Sequence, residues 1–301
     1  MTERSAADEE TQDWSQPNRC AGHGSGPTVC SMSTTGGSYV FGQVREQERA
    51  RLAGLSAQFD PVTVRHLASV GVAAGWHCLE VGAGAGSIAR WLAATVGSSG
   101  RVVATDLDIQ FLDDLPLPPV EVVRHDITGD PVEQDAFDLV HARAVLEHLP
   151  RRSEVVTRLL TALRPGGVLM LEDFVFGAAL LPVSGRIVSP LSKADAFSRV
   201  IPAMEAGFHA VGADPEFGLE LPGALAAAGL REVDAELTCR LVQGGSEESA
   251  FYTMALRDLG PRLIAAGLLT EQDLAEPLAL VQDPVSRWFS LGMVTAWGWR
   301  G

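Results

Sequence analysis

The run Leu79-Glu80-Val81-Gly82-Ala83-Gly84-Ala85-Gly86-Ser87 constrains this chain more than any other stretch, because an apolar strand-like segment carries an acid into three glycines and a helix start. Glycines lack a Cβ, so the backbone there can turn tightly and approach a ligand closely, and the first N–H groups of a helix opening near Ser87 have no intrahelical partner. Downstream, Val102-Val103-Ala104-Thr105 ends at Asp106, about 20 residues past the glycines, the separation at which a strand-helix-strand unit brings a carboxylate to a ribose hydroxyl. Both signals indicate one site for a nucleotide-like cofactor.

Apolar runs near Cys78–Val81, Val102–Thr105, Val120–Val123, Asp138–His141 and Val168–Asp173 alternate with helical segments such as Ser87–Val96 and Arg152–Leu163. Such alternation predicts parallel strands joined by right-handed crossovers. Before the sheet, Glu46–Gln58 reads as an amphipathic helix, and Asp60-Pro61 reads as the capped start of a second helix that Gly71 closes. Leu230–Val242 reads as a sixth strand and Trp288–Trp299 as the place of a seventh. The glycine spacing alone leaves the cofactor open, since Gly84-x-Gly86-x-x-Ala89 also fits the alanine-ended dinucleotide fingerprint.

The order of further features narrows the choice. Arg124-His125-Asp126-Ile127 follows the third strand, Phe137-Asp138-Leu139-Val140-His141-Ala142-Arg143 forms the fourth, Glu147-His148-Leu149-Pro150 comes after it, and Leu163-Arg164-Pro165-Gly166-Gly167 precedes the fifth. In this order the chain resembles the class I S-adenosylmethionine-dependent methyltransferases, in particular the small-molecule group, over roughly residues 39–301 and most strongly from Gly75 to Asp173. The resemblance implies an α/β, Rossmann-like seven-stranded sheet of order 3-2-1-4-5-7-6, its last strand antiparallel, with helices on both faces. It also implies S-adenosylmethionine as cofactor. Asp106 then accepts the ribose hydroxyls, Glu80 holds the amino-acid end or the ribose, and Asp126 reads the adenine amino group while Ile127 packs on the ring. Gly82, Gly84, Gly86 and Leu107 complete the cradle, and Tyr39 and Arg51 are candidates for a flap over the carboxylate end.

His141 falls at the end of the fourth strand and is expected to face the transferable methyl, as a contact of cofactor or acceptor. Since an acceptor must lose a proton, His141, Glu172 and Asp173 are the candidate general bases. Arg143 is expected to pair with Glu147, and His148 to secure the loop–helix junction. Two insertions decorate this frame. Phe176–Ala224, with a helical stretch around Lys193–Ala210, is expected to form a helical lid over the acceptor site, and Glu247–Gln282 carries Thr270 and Asp273 at capping spacing.

A formal charge of −15 disfavours a nucleic-acid partner, which normally meets a basic face, and no apolar stretch approaches the length of a membrane span. A small-molecule acceptor is the expected partner, and the apolar character of the first insertion suggests a hydrophobic one. Residues 1–37 are polar and glycine-rich, and are expected to be a disordered tail, with Met32 an alternative start. No secretory leader is apparent, so a cytoplasmic location is expected. Cys20, Cys30, Cys78 and Cys239 lack metal-ligand spacing, so no metal site is expected. Two alternatives stay open: an NAD(P)-dependent oxidoreductase, and a cofactor-binding scaffold that transfers no methyl group.

Overall fold

Short apolar runs become parallel strands in the computed structural model, which describes residues 45–115, 118–180 and 182–301. β1 (His77–Val81), β2 (Arg101–Asp106), β3 (Val120–Arg124), β4 (Phe137–Arg143) and β5 (Leu163–Val175) pair in parallel. Most residues of β1, β2, β4 and β5 are buried, as expected of strands covered on both faces, and this is why they read as continuous apolar runs rather than alternations. β7 (Arg231–Thr238) and β10 (Gly292–Trp299) complete the sheet in the order β3-β2-β1-β4-β5-β10-β7. β10 runs antiparallel to both its neighbours, so this is the expected 3-2-1-4-5-7-6 arrangement.

Helices cover both faces. α2 (Ser87–Val96) packs Ile88, Leu92 and Val96 against Cys78, Val102 and Leu139, whereas α3 (Arg152–Ala162) and α5 (Leu221–Ala227) pack Leu159 and Leu225 on the opposite face with Leu79 and Val140.

One feature of the N-terminal region differs from expectation. The helices expected on either side of Asp60 are one, α1 (Arg45–Ser69), which runs through Pro61. Proline removes an i→i−4 hydrogen bond from a helix interior. Packing outweighs that loss: Leu55 and Phe59 share a core with Phe251 and Tyr252 of α6 (Ser249–Ala265), and Gln58 Nε2 donates to the Tyr252 hydroxyl at 3.0 Å. The helices cross so closely at Gly54 that a Cβ there would stand 2.4 Å from the Phe251 nitrogen. The expected tail over residues 1–37 and the flap residue Tyr39 lie outside the described residues.

The single strands expected over Leu230–Val242 and Trp288–Trp299 are each two. β8 (Leu241–Gln243) and β9 (Arg287–Phe289) join β6 (Ile187–Ser189) in a separate three-stranded sheet of order β6-β9-β8. Ser290 pins the crossing between sheets: its N–H donates to the Arg240 carbonyl at 2.7 Å, and its hydroxyl accepts the Arg240 N–H at 2.9 Å. Uninterrupted hydrophobic patterning cannot show where a backbone changes its pairing partner.

In the insertions, α4 (Val200–Ala210) is shorter than the helical stretch expected from Lys193, and α7 (Glu271–Gln282) opens with the capping box of Thr270 and Asp273. Arg199 before α4 pairs with Asp273 at 3.2 Å, and Lys193 pairs with Glu276. Phe176, Met204, Phe208, Phe251 and Trp288 lie in one apolar core that both insertions share. Among the described residues no helix is long and apolar enough to cross a membrane.

Candidate functional site

The carboxyl ends of β1, β2 and β4 open into one cavity, at the place where parallel α/β sheets bind ligands. Its polar end is built by the glycine loop. Gly82, Gly84 and Gly86 have φ of 68°, 55° and 75°, in the left-handed region that side chains disfavour. At Gly82 a Cβ would stand 2.3 Å from Cγ2 of Val145, so this loop lies against the loop after β4 with no room for a side chain. Gly86 caps α2 without a side-chain hydrogen bond, and the first helical residues, Ser87 and Ile88, line the cavity.

Glu80, Asp106 and Asp126 all line this cavity. Asp106 closes the glycine loop, its Oδ2 accepting the Gly84 N–H at 2.8 Å and its Oδ1 the Asp108 N–H at 3.0 Å. Burial raises its pKa, against the pull of those backbone donors. Each oxygen keeps acceptor capacity for a ligand hydroxyl. Asp126 Oδ1 accepts from the Thr128 hydroxyl at 2.6 Å and from the Thr128 N–H at 2.9 Å, and the hydroxyl contact is the main reason its pKa is lowered. Ile127 is buried beside it, and Leu107 is half-exposed at the cavity wall. Arg51 also lines the cavity, where it grips Glu48 through two hydrogen bonds of 2.9 and 2.7 Å.

The three residues expected to take the acceptor's proton are not in the cavity wall. His141, Glu172 and Asp173 are fully buried and none of them lines it. Both nitrogens of His141 face carboxylates, Nδ1 at 2.7 Å from Glu80 Oε2 and Nε2 at 3.3 Å from Glu172 Oε2. Burial works against the imidazolium, but the two carboxylates raise the His141 pKa to about 9. Glu172 accepts the hydroxyls of Thr63 and Thr295, each at 2.5 Å. Burial opposes its charge too, yet His141 and Arg143 bring its pKa down to about 2. Asp173 is raised well above the ordinary carboxyl range by burial and by the neighbouring charge of Glu147.

Arg143 does reach the cavity, but its partners are Asp60 at 2.7 Å and the Thr63 hydroxyl at 2.9 Å rather than Glu147. Glu147 turns inward, its Oε2 accepting the Phe174 N–H at 2.9 Å while Oε1 lies 3.2 Å from His148 Nε2. His148 therefore faces the cavity and α4, its ring 5.8 Å from that of Phe208.

Beyond Glu147 the cavity is apolar. Phe174 comes from the end of β5 and Phe176 from just after it, Met204 and Phe208 from α4, and Phe251 and Ala255 from α6. The Phe176 and Phe208 rings meet edge to face at 5.1 Å, and those of Phe174 and Phe251 stack at 5.6 Å. Sequence reasoning placed the first insertion over an acceptor but missed Phe251 and Ala255, because no local pattern shows which helix face meets a distant strand end. The arrangement provides a carboxylate-rimmed compartment for a polar, donor-rich ligand next to an aromatic compartment bordered by two titratable side chains.

Residues 79–171 match the family model for a methyltransferase domain. Among curated proteins, the chain is 31% identical over 166 residues to methyltransferase str2 of Strobilurus tenacellus, covering 52% of this chain and 56% of that protein. It is 26% identical over 140 residues to the ubiquinone/menaquinone biosynthesis C-methyltransferase UbiE of Pseudomonas paraeruginosa, covering 40% of this chain and 55% of that one. The chain thus spans little more than half the length of the curated relatives it matches. A crystal structure from Bacillus halodurans C-125, provisionally named a methyltransferase, superposes with a TM-score of 0.51 at 17% identity, covering 78% of this chain and 97% of that one.

Proposed function

We propose that this chain, which belongs to the class I S-adenosylmethionine-dependent methyltransferases through its residues 79–171, transfers a methyl group from S-adenosylmethionine to an oxygen, nitrogen or carbon nucleophile of a small, largely apolar molecule. The observation that carries this reading is the junction of two compartments in one cavity: Glu80, Asp106 and Asp126 rim one, and Phe174, Phe176, Phe208 and Phe251 wall the other.

The chain's residues fit the cofactor. The left-handed backbone at Gly82, Gly84 and Gly86, strained for any side chain, makes the turn that brings Gly82 and Gly84 into the cavity wall. Asp106 accepts the ribose hydroxyls, Asp126 the adenine amino group, and Ile127 and Leu107 give the adenine an apolar surface. Glu80 receives donors from the ribose or the amino-acid end. When bound, the cofactor supplies an activated methyl group on a cationic sulfur. The protein's own task is to hold the nucleophile in line with it and to exclude water. The aromatic walls suit a flat apolar ring, a shape shared by the quinones in whose biosynthesis the UbiE relative is named. A nucleophile seated there meets Glu147 and His148, cavity-lining groups able to take its proton.

Calorimetric titration with S-adenosylhomocysteine and with NAD tests the cofactor. Micromolar affinity for the first and none for the second is expected, and the reverse would overturn the reading. Labelled methyl transfer to a panel of hydroxylated and quinone-like rings then tests the reaction. Binding without turnover on any acceptor would favour the scaffold.

A further inference from the structure

β1 and β4 set Glu80 directly opposite His141 in register. His141 Nδ1 meets Glu80 Oε2 at 2.7 Å, its Nε2 meets Glu172 Oε2 at 3.3 Å, and Glu172 accepts the Thr63 and Thr295 hydroxyls. The Thr63 hydroxyl accepts Arg143 Nη1 at 2.9 Å, Arg143 Nη2 donates to Asp60 Oδ1 at 2.7 Å, and that oxygen accepts the Ser87 hydroxyl at 3.2 Å. A continuous polar chain thus runs from Glu80, two residues before Gly82, to Ser87, immediately after Gly86, and ties down both ends of the glycine loop. Glu80, His141, Glu172, Thr63 and Thr295 are each no more than 4% exposed, so a member left unpaired there is costly.

Two buried carboxylates on either side of one imidazole are tolerable only while it carries a charge, because an uncompensated buried anion costs several kcal/mol. We propose, on the basis of the cofactor reading above, that His141 is a positioning residue. It holds the Glu80 carboxylate by Oε2 so that Oε1 is presented to the donors of the cofactor's ribose or amino-acid end, and it touches no ligand itself. The catalytic role expected of His141 is replaced by a role one layer behind the cavity wall.

The groups facing His141 are Glu80 on β1 and Glu172 on β5, with Arg143 on β4 and Asp60 and His66 on α1 further along the same network. His66 is pushed down from its usual value by burial, and Glu172 titrates near 2, so neither adds a transition in the alkaline range where His141 loses its proton.

The test is calorimetric titration of S-adenosylhomocysteine into the full chain from pH 7 to pH 10, for wild type, His141→Gln and Glu80→Gln. At pH 7 His141→Gln should weaken binding about tenfold, the scale of one charge-assisted hydrogen bond. Wild-type affinity should fall as pH passes about 9, and both variants should lack that limb. The ligand's own amino group titrates in all three titrations, so only the difference between profiles is read. Equal affinity at pH 7 with superimposable profiles would overturn the proposal. If His141→Gln does not fold, the wild-type and Glu80→Gln profiles decide, and their coincidence overturns it equally. Absence of wild-type binding at every pH would instead defeat the cofactor reading, and this inference with it.

Discussion

Asp173 holds the backbone of Glu147, and Glu147 holds that of Phe174, the residue after Asp173: Asp173 Oδ1 accepts the N–H groups of Val145 at 3.1 Å and Glu147 at 3.4 Å, while Glu147 Oε2 accepts the N–H of Phe174 at 2.9 Å. This reciprocal clasp fastens the loop after β4 to the end of β5, and so fixes the border between the two compartments. Burial and the neighbouring charge of Glu147 raise the Asp173 pKa well above the ordinary carboxyl range. An asparagine Oδ1 can accept the same two N–H groups. Asp173→Asn is expected to cost about 1 kcal/mol, whereas Asp173→Ala strands two amides and should cost about 2–4 kcal/mol. Guanidinium unfolding at pH 7 measures both, and equal losses would refute the clasp as the residue's role.

Asp173 and Glu172 act oppositely in acid, because burial prevails at Asp173 whereas His141 and Arg143 overcome it at Glu172. Glu172 has a folded pKa of about 2 against an ordinary 4.5, so its stabilisation is complete above 4.5 and is lost as pH falls towards 2. Asp173 is raised, so the folded state gains relative stability as pH falls through its folded value towards the ordinary 3.8. The gain from Asp173 is complete by about pH 3.8, whereas the loss from Glu172 runs from pH 4.5 down towards 2, so the two overlap only near pH 4. Glu172→Gln should therefore flatten the loss of stability below pH 4.5, and Asp173→Asn should remove the gain that accrues as pH falls towards 3.8. Unfolding midpoints at half-unit intervals from about pH 7 to pH 2 give the comparison, and parallel curves for the three proteins would contradict it.

What the sequence disclosed, and what it hid, follows from how far each feature depends on distant partners. The glycine loop and Asp106 at the end of β2 are legible because each is encoded in a short run, whereas the strand order with β10 antiparallel came only through the family resemblance. The depth of His141 was not. Strand alternation puts His141 and Arg143 on one face of β4, but one pleat repeat is about 6.8 Å. That distance separates Arg143, in the cavity wall, from His141 behind Glu80. Asp60 misled for a similar reason: next to Pro61 it has the local signature of a helix start, and only the folded chain supplies Arg143 and Ser87 as its partners. Likewise, nothing within Phe251 or Phe208 announces that α6 and α4 converge on the end of β5.

Asp106→Ala should weaken S-adenosylhomocysteine binding more than tenfold, because charge-assisted hydrogen bonds to a ribose are worth roughly 1.5–3 kcal/mol. The same change frees the Gly84 N–H that Asp106 now accepts at 2.8 Å, so the glycine loop should loosen as well. Calorimetry reads the first effect, and amide hydrogen exchange over residues 82–86 of the ligand-free protein reads the second. Unchanged affinity would show that the ribose lies elsewhere.

Gly82 and Val145 provide a test in which strain and contact can be separated. Gly82→Ala meets two obstacles, a φ of 68° and a Cβ that would stand 2.3 Å from Val145 Cγ2. The left-handed conformation costs an L-residue roughly 1–2 kcal/mol, and overpacking adds typically 1–3 kcal/mol. Val145→Ala in the same chain removes the clashing methyl but leaves the backbone penalty in place. The double variant should therefore recover part of the stability and cofactor affinity lost by Gly82→Ala, and never all of it. A double-mutant cycle in guanidinium unfolding and in calorimetry gives the coupling. Strict additivity of the two substitutions would mean that the glycine loop and the loop after β4 do not touch as described, and the junction between the compartments would have to be drawn differently.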